Sequence, residues 1–462
     1  MTEIRKKGHL SFRIFLNAGV RSMTQFSSTE EIFQAVGDMD IEFVRLQFTD
    51  MNGVFRDTEI GTDALDAVFR KGLSIDNRID DGSRMPGTDL IIKPDPRTFS
   101  IIPWKENLGV SARLICEICT PDGSPYEGCT RSALKKTVRR MFQNGYTMQV
   151  TPTIGFFLFD MKDGAPDAAP AGSGSFCGSE PAGKAEDVRR NIFRALKKFD
   201  IDVASTRHGT APGQYEFVLK KTSALRAADN IMTFKYIVKT VARLHGLHAS
   251  FMPKPFSGIP GSGMPLAVSL FKSDDNVFFR SDADMMLSPE ARAFVGGLLS
   301  HARGLSLVTN PTVNSYKRLI SDADAPLNIS WSGDDINSYV RVPSARGKST
   351  RIEVRCPDPS CNPYSAISLI AACGLDGVEK GTDPGVPAAI GSGAGSVRLK
   401  NSVSRLPTSL SEAVSAFSED AFVRDALGAD ISESLIRKAS CEWDEYCACV
   451  HRWEIDKYLR SL

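Results

Sequence analysis

The 462-residue sequence has no apolar run near the roughly 18 residues a membrane span requires. It also has no charge excess: Lys and Arg total 56 against 55 for Asp and Glu, a net charge of +1. This balance leaves no basic footprint for nucleic acid or an anionic membrane, so neither is expected as a partner. Two Gly-rich stretches occur, near 161–186 and 381–395, and neither has phosphate-loop spacing. Metal-binding cysteine patterns are weak among the ten cysteines. Cys116 and Cys119 form a CxxC, but in a strand residues three apart point to opposite faces. Cys441, Cys447 and Cys449 fall in an amphipathic C-terminal helix beside Trp443 and Tyr446 and read as buried free thiols. His9, His301 and His451 have no acidic or thiol cluster near them in sequence. The first residues are basic, then partly apolar, but Asn17, Arg21 and Ser22 interrupt them without a clean cleavage site, so a cytoplasmic location is expected.

What is present divides into three parts: a flexible segment over 1–27, a strand-rich domain over 28–125, and an α/β region over 126–462. Two alternating runs flank Met51-Asn52-Gly53 and predict a hairpin. After Thr130, a possible cap, Leu134, Val138, Met141 and Phe142 keep helical spacing with cations on the opposite side. A helix is predicted over 228–245 with Gly246 as its stop, and another from Ser288-Pro289-Glu290 to Gly304. Residues 161–186 and 381–395 read as mobile loops. The stretch QVTPTIGFFLFD, 149–160, has the alternation and Phe content of a buried strand. Glycine weakens a strand interior and marks a close approach, so Gly155 in its middle is unexpected.

Four segments, GTAPGQYEF (209–217), ASFMPKPFSGIPGSGM (249–264), TNPTVNSYKRL (309–319) and STRIEVRCPDPSCNPY (349–364), occur in an order and spacing that resembles the type I glutamine synthetases. The resemblance runs from about Ile41 to the C-terminus, and the ending HRWEIDKYLRSL is similar to the gamma-glutamyl-polyamine branch. It implies an α+β fold, with a small beta-grasp-like N-terminal domain on a larger domain whose antiparallel strands form a funnel-shaped site. It also implies a homo-oligomer of stacked hexameric rings, a dodecamer, working in nitrogen metabolism. The family activity uses ATP and Mg or Mn to phosphorylate glutamate before ammonia or an amine attacks.

On that resemblance several metal-ligand positions are altered. The family's paired glutamates fall on Thr153 and Gly155, another on Gly209, or on His208 with the loop aligned one residue longer, and a histidine on Pro265, which can neither bind a metal nor donate to a ladder. A glutamate-binding asparagine falls on Pro260 and an active-site arginine on Ile336. The residual family metal carboxylates are Glu216 and Glu353, one for each ion site, so no bound metal and no cofactor is expected. Arg318, Arg341, Lys348, Arg355 and Gly261 match substrate and anion contacts. Asp50 matches the acid that reaches a neighbouring subunit's site, and Asp324 stands at the flap glutamate, one methylene short. Arg351, Glu353 and Arg355 also suit a structural ladder of ion pairs. Three functions are then open: a non-catalytic binding, regulatory or structural oligomer, which is the leading expectation; an enzyme of altered, metal-independent chemistry on a small anionic substrate; or a variant gamma-glutamyl-amine ligase in which His208, Asp324 and water replace lost ligands.

Overall fold

A computed structural model describes residues 28–76, 89–104, 109–170, 177, 183–322, 324–388 and 404–462. The segment 1–27 and parts of the two Gly-rich stretches, 171–176, 178–182 and 389–395, lie outside the described residues.

The first sheet comprises β1 (Ile41–Thr49), β2 (Phe55–Gly61), β3 (Leu73–Ile75), β4 (Leu90–Pro94), β5 (Ser100–Ile101) and β6 (Val110–Cys119). Its order is β2-β1-β6-β4-β3, with β5 on β6. The hairpin expected around Met51-Asn52-Gly53 joins β1 to β2, while β1 and β6 pair in parallel. Alternating Val44, Leu46, Leu114 and Ile118 bury one face against α1 (Thr29–Asp38) and α2 (Leu65–Lys71), which forms a core of its own. A capping box between Ser28 and Glu31 starts α1.

The second sheet is built on one long strand, β7 (Thr147–Lys162), followed by β8 (Ala165–Pro170), β9 (Val203–His208), β10 (Gln214–Leu219), β11 (Thr222–Ser223), β12 (Leu247–Ser250) and β13 (Leu266–Lys272). β14 (Asp275–Asn276), β15 (Asn328–Ser332), β16 (Ser338–Arg341) and β17 (Ile352–Val354) complete it. The main path runs β15-β16-β17-β13-β7-β10-β9, antiparallel except between β15 and β16. Residues 161–170 were expected in a mobile loop; they instead form a hairpin, because β7 continues to Lys162 and pairs with β8.

Among the described residues eleven α-helices follow α2: α3 (Thr130–Gln143), α4 (Lys184–Lys198), α5 (Ala224–Leu244), α6 (Pro289–Ser300), α7 (Ala302–Thr309), α8 (Val313–Ser321), α9 (Pro363–Lys380), α10 (Leu410–Glu419), α11 (Ala421–Leu427), α12 (Ala429–Ala448) and α13 (Arg452–Tyr458). The helix expected to end at Gly304 is broken earlier, at His301, and Gly304 lies inside α7. Cys441, Cys447 and Cys449 are exposed rather than buried, because α12 turns Ile431, Ser434 and Ala439 to the core instead. Cys129, not Thr130, stands at the N-cap of α3. Among the described residues no helix is long and apolar enough to cross a membrane.

One buried ion network joins the two sheets' supporting elements. Arg131 on α3 donates to Asp229 on α5 through Nε and Nη2, each at 3.0 Å, to Asp95 at 3.0 Å and to Glu117 at 2.9 Å. Tyr364 donates to Asp229 at 2.7 Å, and Arg97 to Asp95 at 3.1 Å. Charges buried in this way persist because each has a partner and a hydrogen bond.

Candidate active site

The core-facing side of the second sheet is apolar, through Val150, Ile154, Phe156, Phe217, Leu266, Val268, Val340, Ile352 and Val354. Strand alternation therefore presents the residues between them on the other face. Across four neighbouring strands Thr151, Ala267, Glu353 and Arg341 stand in register. Glu353 accepts from Arg355 at 2.6 Å and lies 3.9 Å from Arg341. All three side chains are largely buried, and the Nε atoms of Arg341 and Arg355 are buried without a partner among the described residues. The expected ion-pair ladder is thus real for Glu353 and Arg355, yet it leaves donor capacity unused.

On the other side of β7, Glu216 pairs in register with Gly155 and with Arg207, which donates to it at 2.6 Å. His208 neighbours Tyr215 in the ladder, so it lies on the opposite face, its ring 4.5 Å from that of Tyr215. It does not stand beside Glu216 as a substitute ligand; the two-residue period of the strand forbids it.

The altered positions are filled. A Cβ added to Gly155 would meet Ser262 Cβ and Oγ at 3.1 Å and the Gly263 carbonyl at 3.2 Å, and at Gly209 it would overlap the Gln214 side-chain amide. The Gln214 side chain accepts from the Ala211 amide at 3.1 Å and donates to the Gly261 carbonyl at 2.8 Å. Thr153 and Gly155 donate their amides to the carbonyls of Pro265 and Gly263 at 3.0 and 3.1 Å. The segment 253–265 is therefore laid along β7 as a strap. Lys254 forms a buried ion pair with Asp322, and Asp322 accepts from the Gly261 amide at 2.7 Å. Sequence reasoning missed Asp322, Lys254, Gln214 and Arg207. A signal existed for Asp322, two residues from the expected Asp324.

The remaining expected residues are placed as follows. Arg318 is buried beside Gly263 and donates through Nη2 to the Cys356 carbonyl at 2.5 Å, with its Nε unpartnered among the described residues. Lys348 is exposed, and Asp324 is exposed in the turn after α8. Asp50 is fully buried in its hairpin, where it accepts from the Val54 amide at 2.9 Å and from Arg56 at 2.6 Å. Burial raises its carboxyl above the usual range, and the Val54 amide and Arg56 offset this in part. Asn362 at the start of α9 touches the same turn.

The family's divalent ions can be tested against this donor set. Among the described residues no group of three or more His, Cys, Asp or Glu comes together to hold a metal. Glu216 and Glu353 are each already neutralised by a guanidinium, and the Gly155 and Gly209 positions are occupied by neighbouring side chains. A resident ion held by several protein carboxylates does not fit.

Two sheets, the smaller packed against α1 and α2 and the larger carrying a row of arginine and glutamate, define an α+β scaffold, and comparison with known proteins gives its family. Residues 40–121 match the model described as "Glutamine synthetase, beta-Grasp domain", and residues 127–458 match "Glutamine synthetase, catalytic domain". The chain belongs to the glutamine synthetase family. It is 39% identical over 95% of its length to a protein named Glutamine synthetase from Methanosarcina mazei, covering 99% of that protein. It is 41% identical over 93% of its length to one so named from Thermotoga maritima, again covering 99% of it. A solved structure titled "GmaS/ADP complex-Conformation 1" shares 31% identity, with a TM-score of 0.84 over 92% of this chain and 99% of that one.

These findings correct the expectation of a non-catalytic oligomer, or pseudoenzyme. That expectation weighed altered ligand positions alone. Near-complete coverage of relatives named Glutamine synthetase, with about two-fifths of residues shared, places the chain among ligases instead. Physically, the space beside Gly155 and Gly209 is packed by Ser262 and Gln214 within an intact scaffold.

Proposed function

We propose that this chain is an ATP-dependent ligase that activates a carboxylic acid as its acyl phosphate and couples it to ammonia or an amine. The observation that carries this reading is the buried Arg341–Glu353–Arg355 cluster, whose unpartnered Nε atoms suit phosphate or carboxylate oxygens. The γ-phosphoryl group of ATP passes to a carboxylate oxygen, releasing ADP; the amine nitrogen then attacks the carbonyl carbon, and phosphate leaves with the bridging oxygen. Phosphoryl transfer depends mainly on positioning and charge stabilisation, which Arg341 and Arg355, tethered by Glu353, supply for the oxygens of the transferred group. Mg bound to ATP enters as part of the substrate; such ions are often held by phosphates, waters and one or two carboxylates.

The acid is proposed to differ from glutamate, since the resemblance puts Pro260 and Ile336 where the family's glutamate contacts stand, and Ile336 is exposed. Arg318, Lys348, Asp324 and Gly261 are proposed to line the pocket, and the hairpin that Asp50 holds together is proposed to face a neighbouring subunit's site in a homo-oligomer. The test is ADP release by the purified chain over a panel of carboxylates paired with ammonia or primary amines, with amide product identified by mass. Release that requires both acid and amine, and that falls at least tenfold in Arg355→Gln, is the expected result. Absence of amide product with every pair overturns the reading.

A further inference from the structure

A cavity of about 490 Å³ lies away from the arginine row, where α3, the end of β6 and the α11–α12 junction meet. This is within the usual size of small-molecule sites, roughly 300–1,000 Å³. Ser132, Lys135, Lys136 and Arg139 line it and recur at i, i+3, i+4 and i+7, so one face of α3 supplies them all. Three features suit an anion. Lys136 and Arg139 make no ion pair among the described residues, against one exposed carboxylate, Glu127, on the lining. The other lining carboxylate, Glu117, is already neutralised by Arg131 and Lys135. The cavity reaches the first turn of the 14-residue α3, where no side chain caps the helix and the Ser132 hydroxyl is buried without a partner among the described residues.

We propose that this cavity is a second binding site, for a small polyvalent anion of phosphate or carboxylate chemistry. Such a guest would bridge Lys136 and Arg139, accept from Ser132 and tie α3 to the Leu427–Gly428 turn. Because Glu117 lies on β6 of the first sheet and its partner Arg131 joins that sheet to α5, the site is placed to act as an effector site on the contact between the two sheets.

The experiment uses the full-length chain with pyrophosphate and with citrate as probes, read by thermal unfolding and by hydrogen exchange. A ligand that prefers the folded state raises the unfolding midpoint by mass action. The expected result is a rise with at least one probe, with protection gained over residues 124–139 and 426–432. Lys136→Glu with Arg139→Glu should weaken at least tenfold the apparent affinity read from protection of residues 124–139, and that local protection should persist in Arg355→Gln, whatever the arginine row itself binds. Both substituted side chains are exposed on α3, so the variant is expected to fold, and its unliganded exchange pattern verifies this. No response to either probe overturns the proposal. So does local protection that ignores Lys136 and Arg139 or is lost in Arg355→Gln, or a response that protects the second sheet instead.

Discussion

Two clusters in this protein combine guanidinium groups with carboxylates, and they differ in how completely they are satisfied. Around Arg131 the nitrogens are spent on Asp95, Asp229 and Glu117, and Tyr364 completes Asp229. Around Glu353 the guanidinium groups of Arg341 and Arg355 keep buried Nε donors without a partner. Buried polar groups without partners are costly, and native proteins retain few of them. The first cluster is therefore satisfied within the fold, and the second keeps the donors that the proposed phosphate or carboxylate oxygens would take.

The largest effect should come from breaking the satisfied cluster. Arg131→Ala leaves Asp95 and Asp229 buried with reduced compensation and should cost about 3–5 kcal/mol in chemical denaturation. A loss below about 1 kcal/mol would erase the distinction drawn here. Gly155→Glu should cost about 1–3 kcal/mol, because its Cβ already meets Ser262 and the Gly263 carbonyl. Gly155→Glu with unchanged stability would show that the strap yields freely.

Acid titration sharpens the comparison next. Burial pushes the Asp95 carboxyl up, but hydrogen bonds and charge from Arg97 and Arg131 outweigh it and hold the group at about 2, against the ordinary 3.8. A depressed folded-state value stabilises above the unfolded value and loses that contribution as pH falls through the folded one. About 2 kcal/mol should thus disappear between roughly pH 4 and pH 2, and Asp95→Asn should flatten that part of the stability profile. A profile that is unchanged in Asp95→Asn would remove Asp95 from the network.

In the unsatisfied cluster the order of effects reverses. Arg355→Gln should change stability by less than about 1 kcal/mol while weakening nucleotide or phosphate binding tenfold or more, worth about 1.4 kcal/mol, in calorimetry. The interaction should also weaken at high salt. Equal losses of stability and binding would make the arginine row structural. The smallest effect concerns His301, which lies between Asp420 at 2.8 Å and Asp376 at 3.4 Å. Burial lowers its imidazole, but the two carboxylates outweigh this and raise it above the usual 6.5. That contribution is full below the unfolded value and lost as pH rises through the folded one, so His301→Gln should remove a small decline in stability that sets in above the usual imidazole range.

The long strand, the 51–53 hairpin and the four family segments were legible because each is a local pattern: alternation, a turn signal, or residues at fixed spacing. Glu353 with Arg355 was legible for the same reason, being two apart on one strand. The partners that distinguish this site are not local. Arg207 reaches Glu216 through strand pairing, Gln214 fills the space at Gly209 by folding back, and Asp322 reaches Lys254 from 68 residues away. His301 read as solitary because its acids lie 75 and 119 residues distant. The larger error was to read altered ligand positions as lost function, when the same segments carry the scaffold shared with relatives named Glutamine synthetase.

The Gln214 amide that occupies the space beside Gly209 has a consequence for how this sequence can change. A glutamate introduced at 209 must displace that amide, and with it the bonds to Ala211 and Gly261 that hold the strap. A glutamate at 155 meets Ser262 of the same strap. Positions 155, 209, 214 and 262 are therefore coupled, and a carboxylate restored at one of them is penalised until another has moved. A carboxylate at 155 or 209 thus asks Ser262 or Gln214 to move first, and substitutions that leave the strap in place are expected to be tolerated more readily than those that crowd it.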